Sequence, residues 1–300
     1  MNILKPILYF SIFNYPLTSD EIFKFSNIKE KEKMIKELSN LEQKGVVYNI
    51  NGYYSALNDE NIIAKRLEGN KSAENIMPKA WKIAKLISNF PYIESVCISG
   101  SLSKGAFDEK SDIDFFIITK KNRVWMARTL LILYKKIFLL NSKKYFCVNY
   151  FMSSGYLKVD EENRFTATEI ATLIPLYGET TFNRFIQENR WVYRFFPNIK
   201  IGQKNIKTSY KSALPKVIEN LLDSKFGDFL ELFFMKITIK KWNSKFNHLS
   251  KVDFELAFKS SENISKHHPN NFQKKVISRL NKKYTEIEKI HNIKLKQEYA

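Results

Sequence analysis

Two cysteines in 300 residues rule out a disulfide framework. Cys97 and Cys147 each lie within an apolar run that reads as a buried strand, so two structural thiols in a reduced, cytoplasmic compartment are expected. Histidine is scarce, with four in the chain, and the adjacent His267 and His268 are poorly spaced to hold one metal from a helix. No apolar run approaches the roughly 20 residues needed to span a bilayer. No signal-peptide pattern is present either, because Lys5, Asn14 and Pro16 interrupt the apolar start. A membrane partner is therefore not expected. Acidic residues are also in short supply, at 31 against 49 Lys and Arg, for a net charge of +18. Residues 200–300 hold 21 basic and 10 acidic residues, more than half of that excess. Such a surface suits nucleic acid, tRNA or DNA, although a lysine-rich solvated surface would give the same count.

Against this background one stretch is chemically dense. An apolar run ends in Gly100-Ser101, Lys104-Gly105 follows, and Ser111-Asp112-Ile113-Asp114 leads into a second apolar run. Side chains at i and i+2 of an extended chain share a face, so Asp112 and Asp114 present two carboxylates together while Ile113 enters the core. Paired hard oxygen ligands suit Mg²⁺ (or Mn²⁺) bound with substrate phosphates. Gly100 and Gly105 let backbone N–H groups approach an anion, Ser101 adds a hydroxyl, and Lys104 is placed to neutralise phosphate charge.

This pattern resembles the signature of the polymerase-beta-like nucleotidyltransferase superfamily, and within it the small nucleotidyltransferase domains of prokaryotes. The order around it agrees: a helix over 80–90, a strand over 93–99, the motif, a strand over 112–119, a helix over 125–140, a strand over 144–152, and helices over 165–176 and 181–193. The resemblance covers about residues 75–195. Upstream, helices over the first dozen residues, 18–25 and 29–44 precede a hairpin turning at Asn51-Gly52, an order similar to a winged helix-turn-helix. Thr18-Ser19-Asp20-Glu21 forms a capping box there. The expected fold class is thus α+β, with a mixed-sheet nucleotidyltransferase domain (75–198) flanked by a winged-helix-like unit (1–56), a polar connector (57–74) and a C-terminal domain (199–300) that reads as helical from Ser209 onward.

The resemblance implies transfer of a nucleoside monophosphate from a nucleoside triphosphate to an acceptor, with pyrophosphate released. Asp112 and Asp114 are the implied catalytic metal ligands, and Gly100, Ser101, Lys104 and Gly105 the phosphate-binding residues. The family carries a third carboxylate on a later strand, where this chain has Asn149, an amide that can ligate or orient but cannot act as a base. The third acid then comes from Asp108, Glu109 or Glu169; or the acceptor needs no strong base; or nucleotide is bound without turnover. Glu169 itself reads as a first-turn residue favoured by the helix dipole. Silent binding would make the chain a nucleotide-sensing, DNA-binding regulator. Lys266 to Gln273 reads as a polar loop before a helix.

Overall fold

The computed structural model describes residues 3–202 and 213–299. Its first elements are α1 (Leu4–Ser11), β1 (Leu17–Thr18), α2 (Ser19–Phe25), α3 (Lys31–Gln43), β2 (Tyr48–Ile50) and β3 (Tyr53–Ser55). The capping box is made: the Thr18 hydroxyl accepts from the Glu21 amide, and Glu21 Oε2 accepts from the Thr18 amide at 2.8 Å. Asn51 and Gly52 both have positive φ, as the two-residue hairpin turn requires, and β1, β3 and β2 pair antiparallel in that order. Met34, Leu38 and Leu41 bury one face of α3, leaving Lys31, Lys33 and Lys36 exposed on the other.

Residues 57–74 differ from expectation. They enter α4 (Asn61–Ser88), a single helix of 28 residues that runs through Pro78. Two of its polar residues are committed to tertiary bonds, while Lys65, Glu68, Lys71 and Glu74 face solvent. Arg66 donates to both carboxylate oxygens of Glu21 at 2.7 Å, with its guanidinium beside the rings of Tyr15 and Tyr53. The Asn70 amide donates to the Gly105 carbonyl at 2.7 Å and to the Tyr15 hydroxyl at 3.1 Å. The stretch that resembles a linker in composition ties the N-terminal unit to the motif loop.

A second sheet follows, built from β4 (Ile93–Ser99), β5 (Asp114–Thr119), β6 (Cys147–Ser153), β7 (Ile174–Tyr177) and β8 (Ile264–Lys266) in the order β7-β4-β5-β6-β8. Only β5 and β6 run parallel. Between these strands lie α5 (Gly100–Ser103), α6 (Val124–Phe138), α7 (Arg164–Ala171), α8 (Glu179–Glu188) and α9 (Val192–Phe195). Alternation along the strands splits two cores. Val96, Ile98, Phe115, Ile117 and Phe151 face α4 and α6, while Cys97, Phe116, Ile118 and Met152 face α7 and α8. The helix expected over 165–176 ends early, and Ile174–Tyr177 becomes a strand. Pro175 is tolerated there because β7 lies at the sheet edge.

The last third comprises α10 (Ala213–Leu222), α11 (Lys225–Lys245), α12 (Lys251–Ala257), β8 and α13 (Phe272–His291). The helical start expected from Ser209 lies outside the described residues up to 212. Two features depart from a uniformly helical pattern. A three-residue strand, β8, joins the central sheet, with Lys266 opposite Tyr150. Each helix also completes a core begun elsewhere. Trp242 and Ala257 pack with the α4–α6 side of the sheet, whereas Val276, Leu280 and Tyr284 of α13 share a core with α1 to α3. Glu231 of α11 accepts from the Trp125 and Met126 amides at 2.7 and 2.8 Å, closing the open N-terminus of α6.

Candidate active site

The sheet register brings the two ends of the motif together, since Ser99, the last residue of β4, pairs with Asp114, the first of β5. The chain leaves β4 through Gly100 at φ +68°, and a Cβ placed there would lie 2.4 Å from Asp114 Oδ2. Gly100 is thus required as much by the Asp114 carboxylate as by any phosphate. Ile113 is fully buried and bonded on both sides, its amide to the Lys144 carbonyl at 2.9 Å and its carbonyl to the Cys147 amide at 3.1 Å. That anchor fixes the aspartates on either side of it.

Both carboxylates line a cavity of about 500 Å³ together with Gly100, Ser101, Asn149 and Glu169. Neither Asp112 nor Asp114 forms an ion pair among the described residues. Burial pushes the Asp114 carboxyl up to about 6, with the nearby charges of Asp112 and Glu169 acting in the same direction and a hydrogen bond from the Cys147 thiol acting against them. Burial, followed by the charge of Asp114, likewise pushes the Cys147 thiol up, so it stays protonated and donates. Its sulfur accepts from Asn149 Nδ2 at 2.8 Å. A hydrogen-bonded chain therefore runs from Asn149 through Cys147 to Asp114.

Asn149 occupies its place through a β-bulge. Val148 pairs with Phe115 and Tyr150 with Phe116, leaving Asn149 as the extra residue. The bulge turns Tyr150 onto the face that carries Asp114 and Phe116, with the Tyr150 and Phe116 ring centroids 5.2 Å apart.

Other motif residues are placed differently. Lys104 and Gly105 do not line the cavity. Lys104 Nζ donates to the Gly100 carbonyl at 3.0 Å and to Glu169 Oε2 at 2.9 Å, so its charge is already engaged. Gly105 holds Asn70 through its carbonyl. Among the alternatives for a third carboxylate, Asp108 accepts from the Ser111 hydroxyl and the Lys110 amide in an exposed turn, and Glu109 is exposed. Glu169 alone of the three lines the cavity. It sits in the last turn of α7, so stabilisation by a helix N-terminus does not account for it.

Lys266 to Gln273, read from sequence as a loop, forms a wall of the same cavity. His268 lies edge-on to Tyr150 at 6.3 Å between centroids, and burial pushes its imidazole down to about 3, which keeps it neutral. These residues lie more than 100 positions from the aspartates, and β8 pairing with β6 is what delivers them.

Two unpaired carboxylates, one of them desolvated and flanked by further acid, fit a divalent cation through hard oxygen donors. Among the described residues no group of three or more His, Cys, Asp or Glu side chains is arranged to hold a metal by itself, so substrate oxygens and water would complete any coordination. No curated protein and no solved structure gives a significant match to the chain. Residues 79–170, which run from the second half of α4 through Asp112, Asp114 and Glu169, match a family model described as a nucleotidyltransferase domain, and this supports placing the segment in the nucleotidyltransferase superfamily.

Proposed function

We propose that the chain transfers a nucleoside monophosphate from a nucleoside triphosphate to an acceptor hydroxyl or phosphate, releasing pyrophosphate. The observation that carries this is the convergence of Gly100, Ser101, Asp112 and Asp114 on one cavity within the matched segment. Asp112 and Asp114 would hold Mg²⁺ or Mn²⁺, which supplies neutralising charge to the triphosphate. Ser101 and the backbone of the Gly100 turn would position the phosphates. An acceptor oxygen forms a bond to the α-phosphorus as the bond from that phosphorus to the bridging oxygen breaks, and pyrophosphate leaves with the electron pair. A hydroxyl acceptor gives its proton to Glu169, a carboxylate lining the cavity whose charge reaches Asp114; an ionised phosphate acceptor has none to give. Asn149 orients Cys147, and through it Asp114, in place of acting as a base.

Calorimetric titration with a non-hydrolysable ATP analogue tests the binding half of this account. Binding that requires Mg²⁺ or Mn²⁺ and falls at least tenfold in Asp112→Ala is expected; metal-independent binding unchanged by the substitution would contradict it.

A second activity draws support from the N-terminal unit. Its helix order, its three-stranded sheet and the exposed Lys31, Lys33 and Lys36 on α3 suit a winged helix that contacts DNA phosphates. Affinity for duplex DNA is then expected to fall steeply with salt and to weaken in Lys33→Glu/Lys36→Glu. Unchanged affinity in that variant would remove the reading.

A further inference from the structure

The cavity that holds the aspartates continues along the sheet, away from the Gly100 turn. In the order β7-β4-β5-β6-β8, Gly100 follows β4 and Asp114 opens β5, so β6 and β8 lie on the far side of Asp114. Phe116, Tyr150 and Lys266 form one cross-strand row there, and all three line the cavity. Lys266 stands two strands across and two residues along from Asp114, about 12 Å by sheet spacing. Phe165 and Phe185 add further apolar wall. Three donors on this wall lack a full set of acceptors. Lys266 is 8% exposed, and the one hydrogen bond its ammonium makes among the described residues is to Gln273 Oε1 at 3.3 Å. Donation from a lysine sets the amide oxygen toward Lys266, which leaves Gln273 Nε2 as a donor without a partner. Gln273 is 6% exposed and lines the cavity. The Tyr150 hydroxyl forms no hydrogen bond among the described residues. Burial, and then the charges of Glu161 and Asp160, push it up, so it keeps its proton. Glu161, the carboxylate whose charge acts on Lys266, is engaged by Lys259 at 3.2 Å.

We propose that Tyr150, Lys266 and Gln273 form the acceptor subsite, and that the acceptor is a small aromatic carboxylate bearing a hydroxyl. The assignment rests on the nucleotidyl-transfer reading, in which the triphosphate lies over the Gly100 turn. In an in-line displacement the attacking oxygen enters opposite the leaving one. Pyrophosphate then leaves on the β4 side, and the acceptor enters from the side of β6 and β8. That side carries the aromatic wall and the free donors. A buried ammonium with only a neutral partner is costly, and a carboxylate supplies the missing charge while accepting from several donors at once. Phe116, Phe165 and Phe185 suit a flat, apolar body between that carboxylate and the reacting hydroxyl. A cavity of about 500 Å³ is the size of a small-molecule site.

The test uses the full-length protein, with 4-hydroxybenzoate as probe and 4-methylphenol as its neutral counterpart. Titrations are run with and without Mg²⁺ and a non-hydrolysable ATP analogue. The carboxylate probe is expected to bind at least about tenfold more tightly than 4-methylphenol and to bind alongside the analogue. It should weaken about tenfold in Lys266→Met and about fivefold in Tyr150→Phe. Tyr150→Phe keeps the ring and removes only the hydroxyl, so it tests the subsite even if Lys266→Met fails to fold. Analogue affinity should stay within about twofold in Tyr150→Phe, since the hydroxyl is assigned to the acceptor alone. Equal affinity for the two probes, no measurable binding of 4-hydroxybenzoate, or no change in Tyr150→Phe overturns the subsite. Strict competition between probe and analogue overturns its assignment to the acceptor. If the analogue fails to bind while 4-hydroxybenzoate behaves as expected, the subsite stands and the nucleotidyl-transfer reading falls.

Discussion

Asp114→Asn should abolish transfer and at the same time make the protein more stable at neutral pH. The loss should be about 10³-fold or more, equivalent to about 4 kcal/mol of transition-state stabilisation, because one of two metal-ligating charges disappears. The gain follows from the raised carboxyl, at about 6 against an ordinary 3.8. The folded state binds this proton more tightly than the unfolded chain does. Stability is therefore lost as pH rises from the unfolded value through 6, reaching on the order of 1–3 kcal/mol above it. Urea midpoints of wild type and variant should coincide near pH 4, diverge between pH 4 and 6, and stay apart above that. Mg²⁺ should stabilise the wild type and leave the variant unchanged, since a ligand stabilises only the state that binds it. Equal midpoints at pH 8 would mean that the desolvation argument is wrong.

Gly100→Ala is the second large effect. The added methyl meets Asp114 Oδ2 at 2.4 Å on a backbone held at φ +68°, so both the carboxylate and the turn must shift. The left-handed conformation alone costs about 1 kcal/mol for a non-glycine residue. Activity should fall at least about 100-fold, as expected when metal ligands move by a fraction of an ångström to an ångström. A double-mutant cycle separates the causes. In an Asp114→Ala background the carboxylate is absent, and the stability cost of Gly100→Ala should shrink by about 1 kcal/mol or more. Additive costs would assign the glycine to backbone conformation alone.

The parts of this site that the sequence exposes are those set by local rules. Strand β4 spans Ile93–Ser99 as expected, the capping box at Thr18 and the turn at Asn51-Gly52 form, and the i, i+2 spacing of Asp112 and Asp114 places both on the cavity. The parts that escape depend on partners far along the chain. Lys104 has the right type and position for a phosphate ligand, but its pairing with Glu169 arises 65 residues away. Glu169 reads as an early residue of a helix expected over 165–176, until α7 is seen to end at Ala171, which puts it in the last turn. The bulge at Asn149 breaks the alternation from which facing is deduced, and brings Tyr150 to the site face. Strand β8 has three residues, too few for a periodic signal, yet it carries Lys266 and the two histidines to the cavity. The stretch 61–74 imitates a linker because Lys65, Glu68, Lys71 and Glu74 face solvent, while Arg66 and Asn70 make the tertiary hydrogen bonds that composition does not reveal.

The most direct measurement of the central claim compares two labels on one nucleotide. Full-length protein is incubated with Mg²⁺, cell extract as acceptor source, and a nucleoside triphosphate labelled at either the α- or the γ-phosphate. Label from the α position should appear in an acceptor product and label from the γ position in pyrophosphate, with both absent in Asp112→Ala/Asp114→Ala. Release of γ-label as orthophosphate without α-label transfer, or label transfer undiminished in the double variant, would contradict the assignment of Asp112 and Asp114 to nucleotidyl transfer.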